Sequence, residues 1–160
     1  MKWINNKMLL SRDNVKIKVS KEALLHSETL SSLVSAVGAV KIDNNDYCIP
    51  VSHENATGEH LKSIVDYMEN MKDTEPEEQD EESTYLPPPE MTDYQKEFIE
   101  TKSIVTIVDM LILAQYLKIT SLVNILSYKL STLIAGKQPD EIRQLFGIEN
   151  DLSPSDLKKL

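Results

Sequence analysis

The chain has little of several residue types, and each shortage excludes a class of protein. Its 160 residues include one cysteine, Cys48, so neither a disulfide within the chain nor a site built from several thiolates is possible. No apolar run approaches the roughly eighteen residues of a membrane-spanning helix. The first residues lack the long apolar region of a signal peptide. These absences predict a protein of the cytoplasm and nucleus with no membrane partner.

Basic residues are too few to balance the acidic ones, and the excess acid lies in one segment. The formal net charge is −9, and residues 73–90 hold eight acidic residues but no lysine or arginine. Without that segment, 18 acidic residues face 17 basic ones, a net charge of −1. No basic helix or patch is present, so we expect no nucleic-acid partner. Residues 73–90 also contain a triple proline and few apolar residues, which predicts a disordered insertion.

The rest of the sequence combines short alternating runs with amphipathic helices, a pattern typical of an α+β fold. Three short strands are predicted, at residues 7–10, 15–19 and 47–51. Helices are predicted to begin at Pro139 and to cover residues 20–26, 28–37, 58–71, 104–117 and 121–135. The helix at 104–117 is apolar nearly all round, so we expect it at the buried centre of the domain.

The helix at 121–135 has more apolar surface than one small core needs. Its apolar positions cover roughly half of the helix circumference, whereas a surface helix usually shows a narrower stripe. They are Leu122, Val123, Ile125, Leu126, Leu130, Leu133 and Ile134. This width predicts two packing partners, one of which is another chain.

No group of residues has the spacing that catalysis or metal binding requires. The three histidines, His26, His53 and His60, are not paired as metal ligands are, so we expect them at the surface. No glycine-rich phosphate loop and no context for a nucleophile and its base are present. The sequence therefore predicts a protein that is not an enzyme and that holds no metal or cofactor.

Several spaced motifs, taken together, resemble one family. They are Tyr-Gln-Lys-Glu-Phe at 94–98, Leu-Ala-Gln-Tyr-Leu-Lys-Ile at 113–119, the stretch from Ile134 to Arg143, and Phe-Gly-Ile-Glu-Asn-Asp at 146–151. In this order they are similar to the S-phase kinase-associated protein (Skp) family, the adaptors of SCF ubiquitin ligases. The likeness is strongest from Tyr94 to Asp151 and weak before residue 60.

The resemblance implies a BTB/POZ fold, with a short three-stranded sheet among helices, followed by a helical extension. The BTB/POZ domain would cover residues 7–118, including the acidic insertion, and the extension residues 119–160. The family performs no chemistry of its own. Its BTB/POZ body binds a cullin, and its extension binds the F-box of a substrate receptor, so an adaptor linking these two partners is the implied function.

The resemblance also implies which residues make these contacts. Gln115 and Tyr116 fall on the family's cullin-facing pair. The F-box-facing positions fall on one ridge of the helix at 121–135 and on the helix after it: Val123, Ser127, Leu130, Ile134, Ile142, Phe146 and Ile148. This assignment leaves Leu122, Ile125 and Leu133 to face the body.

The sequence departs from the family pattern at several positions. Tyr94 stands where the family usually has Trp, Gln115 replaces Asn, and Lys118 replaces an acidic residue, which would weaken cullin binding. The family has one more helix beyond the position of Leu160, so we expect weaker or narrower F-box binding. Pro139 is a candidate modification site, because some protist members hydroxylate and then glycosylate this proline; a simple helix-start proline also explains it.

Two other functions remain as alternatives. A divergent member with an altered cullin face could self-associate as a structural assembly protein of the kinetochore or chromosome axis. An adaptor of the elongin C type is disfavoured, because that type lacks helices after the BTB/POZ body. A homodimer is expected when partners are absent.

Overall fold

The computed structural model describes residues 6–36, 40–41, 47–77 and 89–147, and it confirms the predicted α+β fold. Four strands form one sheet: β1 (Asn6–Leu10), β2 (Lys16–Ser20), β3 (Val40–Lys41) and β4 (Tyr47–Pro50). Their order is β2-β1-β4-β3, with β1 and β4 parallel and the other pairs antiparallel. The three predicted strands are present, and the two-residue β3 adds a fourth.

The described residues also form seven helices. They are α1 (Lys21–Leu24), α2 (Glu28–Ala36), α3 (Gly58–Met71), α4 (Asp93–Glu100), α5 (Ile104–Leu117), α6 (Thr120–Ile134) and α7 (Pro139–Phe146). The predicted bounds of α3 and α5 are confirmed, and Ser20 caps α1 by accepting a hydrogen bond from the main-chain N–H of Ala23. Periodicity and capping residues were sufficient to place these helices because both signals are local.

The sequence interpretation did not include α4. The helix begins with a capping box, in which the Thr92 hydroxyl accepts from the Gln95 N–H and the Gln95 side chain accepts from the Thr92 N–H. The Thr92–Gln95 spacing is a start signal that the sequence carries. The helix is only eight residues long and follows the acidic segment, so its short apolar pattern was less evident than its cap.

The start of α3 fits closely against the β1–β2 hairpin. The Asp13 carboxylate accepts a hydrogen bond of 2.7 Å from the N–H of Gly58, and the Ser11 hydroxyl donates to the same carboxylate. These hydrogen bonds, chiefly that of Ser11, lower the pKa of Asp13. A Cβ on Gly58 would lie 2.7 Å from a methyl group of Val15, so only glycine fits here without a shift. The hairpin thus fixes where α3 begins.

The core lies between the sheet, α3, α5 and the first half of α6. Its largest fully buried side chains include Tyr67, Met68, Ile107, Met110, Leu113, Leu117 and Leu122. Cys48 is fully buried, as a small apolar group would be. None of the described helices is both long enough and apolar enough to cross a bilayer. Most of the acidic insertion (78–88) and the C-terminal residues (148–160), including Ile148, lie outside the described residues.

The expected surface position of His26 is wrong, because only 6% of the residue is exposed. Its Nε2 has no hydrogen-bond partner. Desolvation lowers the pKa of His26, and the nearby main chain of Met71 and Thr74 only partly opposes that shift. The ring is therefore held in its neutral form against the end of α3.

We expect stability to fall as the pH drops below about 6.5, the usual pKa of an unfolded histidine. His26 takes up a proton more readily in the unfolded chain than in the folded one, so protonation favours unfolding. Urea unfolding at about pH 7.5 and about pH 5.5 measures the change in the free energy of unfolding. Both pH values lie above the usual pKa of most carboxyl groups. His26→Gln should flatten the pH dependence. An equal change in stability between the two pH values for the parent chain and the variant would contradict this role.

Candidate protein-interaction site

Helix α6 is held against the body along one face. It packs lengthwise on α5 and also contacts α4. Leu122, Ile125 and Leu126 are buried on this face, and Leu133 is half-buried and packs on the core. The chain enters α6 through Lys118, whose left-handed backbone (φ 53°) ends α5, and through the fully buried Ile119. The predicted inner face of α6 is confirmed in its first half.

A buried polar cluster fixes the start of α6. The Tyr67 hydroxyl of α3 lies 2.8 Å from the Ser121 hydroxyl of α6, and the Gln95 amide of α4 donates to it over 2.9 Å. All three residues are at most 5% exposed. Burial raises the pKa of Tyr67, so its hydroxyl stays protonated and serves as both donor and acceptor. We call these residues the Tyr67 cluster.

Aromatic rings surround the Tyr67 cluster. The rings of Tyr67, Tyr94 and Phe98 lie with their centroids 5.3–6.2 Å apart, which is the usual range for packed aromatic pairs. Burial, followed by the charge of Asp66, raises the pKa of Tyr94 to about 12. A Lys129–Glu100 ion pair of 2.8 Å adds a second link between α6 and α4 at the surface. Tyr94 is thus part of the packing that positions α6.

The predicted ridge of α6 is only partly free. Ser127 is exposed, and Val123, Leu130 and Ile134 are half-buried. Val123 and Leu130 pack against the core cluster, whereas Ile134 is not among the residues that do so. Leu130 therefore supports the fold as well as the surface. Ile134 and Ser127 are the ridge positions at which a partner contact can be tested with the least effect on folding.

Helix α7 presents apolar residues without burying any of them completely. The Gln138 N–H donates to the Glu141 carboxylate over 2.7 Å at its start, Pro139 occupies a first-turn position, and Gly147 ends it with a left-handed backbone (φ 66°). Its apolar residues Ile142, Leu145 and Phe146 are all half-buried. An eight-residue helix gains little stability from propensity alone, so it relies on packing.

The half-buried residues of α6 and α7 lie on neighbouring helices. The two helices follow each other across residues 135–138, and both contact α5. We call this set the extension surface: Val123, Ser127, Leu130, Ile134, Ile142, Leu145 and Phe146. Its side chains offer apolar area that a second chain can bury, the interaction that dominates most protein association.

A second apolar surface lies on α5, and here the sequence interpretation was wrong. The helix was expected to be buried all round, but Val105, Ile112 and Tyr116 are 55%, 41% and 40% exposed. Their spacing of i, i+7 and i+11 places them on one line along the helix, opposite its buried residues. We call this line the α5 face. Only Tyr116 was predicted; the spacing alone could not show which side of an all-apolar helix faces solvent.

Neighbouring side chains contact Tyr116 at the end of the α5 face. The ring of His53 lies 4.9 Å from the Tyr116 ring, and the Thr29 hydroxyl donates to the Tyr116 carbonyl oxygen over 2.9 Å. Gln115 and Lys118 are exposed beside it, and Lys118 Nζ lies 3.8 Å from the Glu28 carboxylate. The structure thus brings Gln115 and Tyr116 together, and it adds His53, which sequence reasoning did not connect to them.

The described residues include no group of three or more His, Cys, Asp or Glu side chains that could hold a metal ion. The two surfaces consist instead of apolar side chains with a few hydroxyl and amide groups. Such surfaces suit contacts with another protein, which would bury the apolar side chains and form hydrogen bonds with the polar groups.

Replacement of Tyr67 by Phe should destabilise the fold by about 1–3 kcal/mol, because Gln95 and Ser121 lose their buried partner. Urea unfolding measures the change. Tyr128→Phe is the matched control, since Tyr128 is only half-buried and its change should stay within about 0.5 kcal/mol. If Tyr67→Phe unfolds at the same urea concentration as the parent chain, the cluster does not hold α6 in place.

Known proteins resemble this chain over nearly its whole length. Residues 120–160 match a family model described as the Skp1 family dimerisation domain. An S-phase kinase-associated protein 1 homolog of Tetrahymena thermophila is 32% identical over 149 residues, 92% of this chain and 85% of that protein. SKP1-like protein 13 of Arabidopsis thaliana is 28% identical over 96% of this chain and 91% of its own length.

A third relative, the SCF ubiquitin ligase complex protein SKP1a of Dictyostelium discoideum, is 24% identical over 95% of this chain and 89% of its own length. The predicted resemblance is thus confirmed from the strands through the helical extension. With this identity and coverage, and with an α+β body followed by helices, the chain belongs to the Skp1 family.

Proposed function

We propose that this chain is a non-catalytic adaptor that links an F-box substrate receptor to a cullin in an SCF-type ubiquitin ligase. The observation that carries the proposal is the presence of two apolar surfaces, the extension surface and the α5 face, on one body. Membership of the Skp1 family supports it, as does the name of the Dictyostelium relative, an SCF ubiquitin ligase complex protein. The adaptor needs no cofactor, and its place of action is the cytoplasm and nucleus.

The extension surface is the proposed F-box site. Its apolar residues come from two consecutive helices, and α7 has no residue that its own chain buries completely. Half-buried aliphatic and aromatic side chains of this kind suit a helical partner that inserts its own apolar residues between them. Ser127 and Ile134 are the accessible part of the ridge, and Ile142 and Phe146 are the corresponding part of α7.

The α5 face is the proposed cullin site. Val105, Ile112 and Tyr116 form a line of exposed apolar area about 16 Å long, the rise of eleven helical residues. Gln115 and Tyr116 at one end are the positions that the family resemblance assigns to the cullin. Lys118, beside them, stands where the family has an acidic residue. Glu28, whose carboxylate lies 3.8 Å from Lys118 Nζ, offsets part of this positive charge, which favours retained cullin binding.

The two surfaces have different neighbours, which supports simultaneous binding. Residues of α2 and of the loop before α3 border the α5 face, through Thr29 and His53. The extension surface continues instead into α7. A helix that contacts both α6 and α7 and also bears the second surface would hold two partners at a fixed distance.

Ile134→Asp should weaken F-box binding about tenfold or more, because the loss of about 1 kcal/mol from burying the exposed part of Ile134 adds to the cost of burying an unpaired charge. Isothermal titration with a purified F-box domain gives the affinity. Ser131→Asp adds the same charge to the same turn of α6 at an exposed position, so it should bind like the parent chain. Comparable weakening by both variants would point to a damaged helix end.

Tyr116→Ala should weaken binding of the cullin N-terminal domain about tenfold and leave F-box affinity unchanged. The hydrogen bond from the Thr29 hydroxyl to the Tyr116 carbonyl oxygen does not depend on the ring, so the fold should survive. Surface plasmon resonance with each partner in turn separates the two effects. Tyr128→Ala removes a tyrosine of α6 outside both surfaces and serves as the control. Cullin affinity that survives Tyr116→Ala would contradict the assignment of the α5 face.

A self-associating assembly protein is the second candidate function. The family model that matches residues 120–160 is described as a dimerisation domain, and the extension surface offers apolar area to a second copy. The two candidates make different predictions, since an F-box partner would compete with a homodimer for the same residues. Light scattering with and without an F-box domain distinguishes them, because only the adaptor exchanges its dimer for a 1:1 complex.

A further inference from the structure

A third surface is lined by described residues of β2 and α3 that belong to neither proposed partner site. Strand β2 is an outer strand of the sheet, and α3 runs beside it, leaving an open groove of about 660 Å³ between them. Buried Ile17 and Val65 are among its lining residues, and Val15, which is 43% exposed, lies at one end. We call it the β2–α3 groove. Nothing in the proposed adaptor function uses it.

The main chain of β2 faces this groove at alternate residues. The Ser20 N–H, which donates to the Glu69 carboxylate of α3 over 2.5 Å, points away from β1. Main-chain groups of an antiparallel strand alternate in direction, so those of Lys16 and Lys18 point the same way as Ser20. The Val15 carbonyl oxygen, which accepts from the Ser11 N–H at the end of the hairpin, agrees with this alternation.

The side chains that line the groove carry the opposite charge to the rest of the chain. Lys16 and Lys18 come from β2, and Lys62 and Lys72 from α3, against the two carboxylates of α3 at positions 66 and 69. The formal net charge of this set is +2, whereas the whole chain has −9, so the remaining residues carry −11. A cationic groove favours an anionic partner, because opposite charges attract and steer the two surfaces together.

One of the two carboxylates, Glu69, is held within the chain and is not directed at a partner. The Glu69 carboxylate accepts hydrogen bonds from both the N–H and the hydroxyl of Ser20, and it lies 3.7 Å from Lys72 Nζ. It therefore closes one end of the groove. Lys16 and Lys18 also interact within the chain, so a partner would have to share or replace those interactions.

We infer that the β2–α3 groove binds an extended acidic segment of a partner protein, which lies along β2 with carboxylates at alternate residues. Lys16 and Lys18 are two residues apart on one strand, about 6.7 Å, which is also the spacing of alternate side chains in an extended peptide. Peptides commonly bind in this way, by adding a strand to the exposed edge of a sheet. Lysines on the edge disfavour neutral or basic strands, so charge selects the partner.

Fluorescence anisotropy with a labelled peptide of alternating Glu and Val tests the inference. The charge reversals Lys16→Glu and Lys18→Glu together should weaken binding about tenfold, since two attractions become two repulsions. Lys96→Glu with Lys137→Glu makes the same charge change at exposed positions outside the groove and should bind like the parent chain. Binding should weaken as the salt concentration rises from about 0.05 M to about 0.3 M.

A second peptide separates strand recognition from general attraction between charges. It has the same composition, with the Glu residues grouped at one end, and should bind more weakly than the alternating peptide. If circular dichroism shows that the β2 double variant unfolds at a lower temperature than the parent chain, Lys62→Glu on α3 repeats the test. The inference is overturned if groove and control variants bind equally well, or if both peptides bind with the same affinity.

Discussion

The hydroxyl of Tyr67 is the contact on which the arrangement of the C-terminal helices depends. It joins α3 of the body, α4 after the acidic segment and α6 of the extension in one buried hydrogen-bonded cluster. A buried polar group without a partner is costly, so the three helices fit together in the one arrangement that satisfies all three side chains. The direction in which α6 leaves the body, and with it the extension surface, follows from this cluster.

A protein that acts by positioning its partners needs such a constraint more than it needs reactive groups. Helix α5 is central to this role, because one side of it supports the core and the opposite side carries the α5 face. The two proposed partner sites are therefore related through a single helix, and little chain lies between them in which their distance could vary. Adaptor function would then be a property of packing, with the hydrogen bonds of the Tyr67 cluster setting the angle.

Much of the fold could be predicted from the sequence because its signals are local. The bounds of α3 and α5, the Ser20 cap and the burial of Cys48 follow from periodicity and short-range chemistry. Side-chain exposure depends on contacts between distant elements, and here prediction failed. His26 is buried by the end of α3, and an all-apolar α5 gave no sign that Val105 and Ile112 face solvent.

The candidate site was predicted in a similarly uneven way. The family resemblance located the α6 ridge, but only tertiary packing separates Leu130, which supports the core, from Ile134 and Ser127, which do not. His53 is 63 residues from Tyr116 in the sequence, and no periodic pattern could have paired their rings. The β2–α3 groove likewise depends on two elements separated by the whole central part of the body.

The helices on either side of the acidic segment carry their own end signals. Thr74 closes the end of α3 by donating twice to the Met71 carbonyl oxygen, and the Thr92 capping box starts α4. The first part of the segment also reaches α6, because the Glu77 carboxylate accepts a hydrogen bond of 2.9 Å from the Asn124 amide. The end of α3 and the start of α4 are therefore set by their own residues and not by the length of chain that joins them.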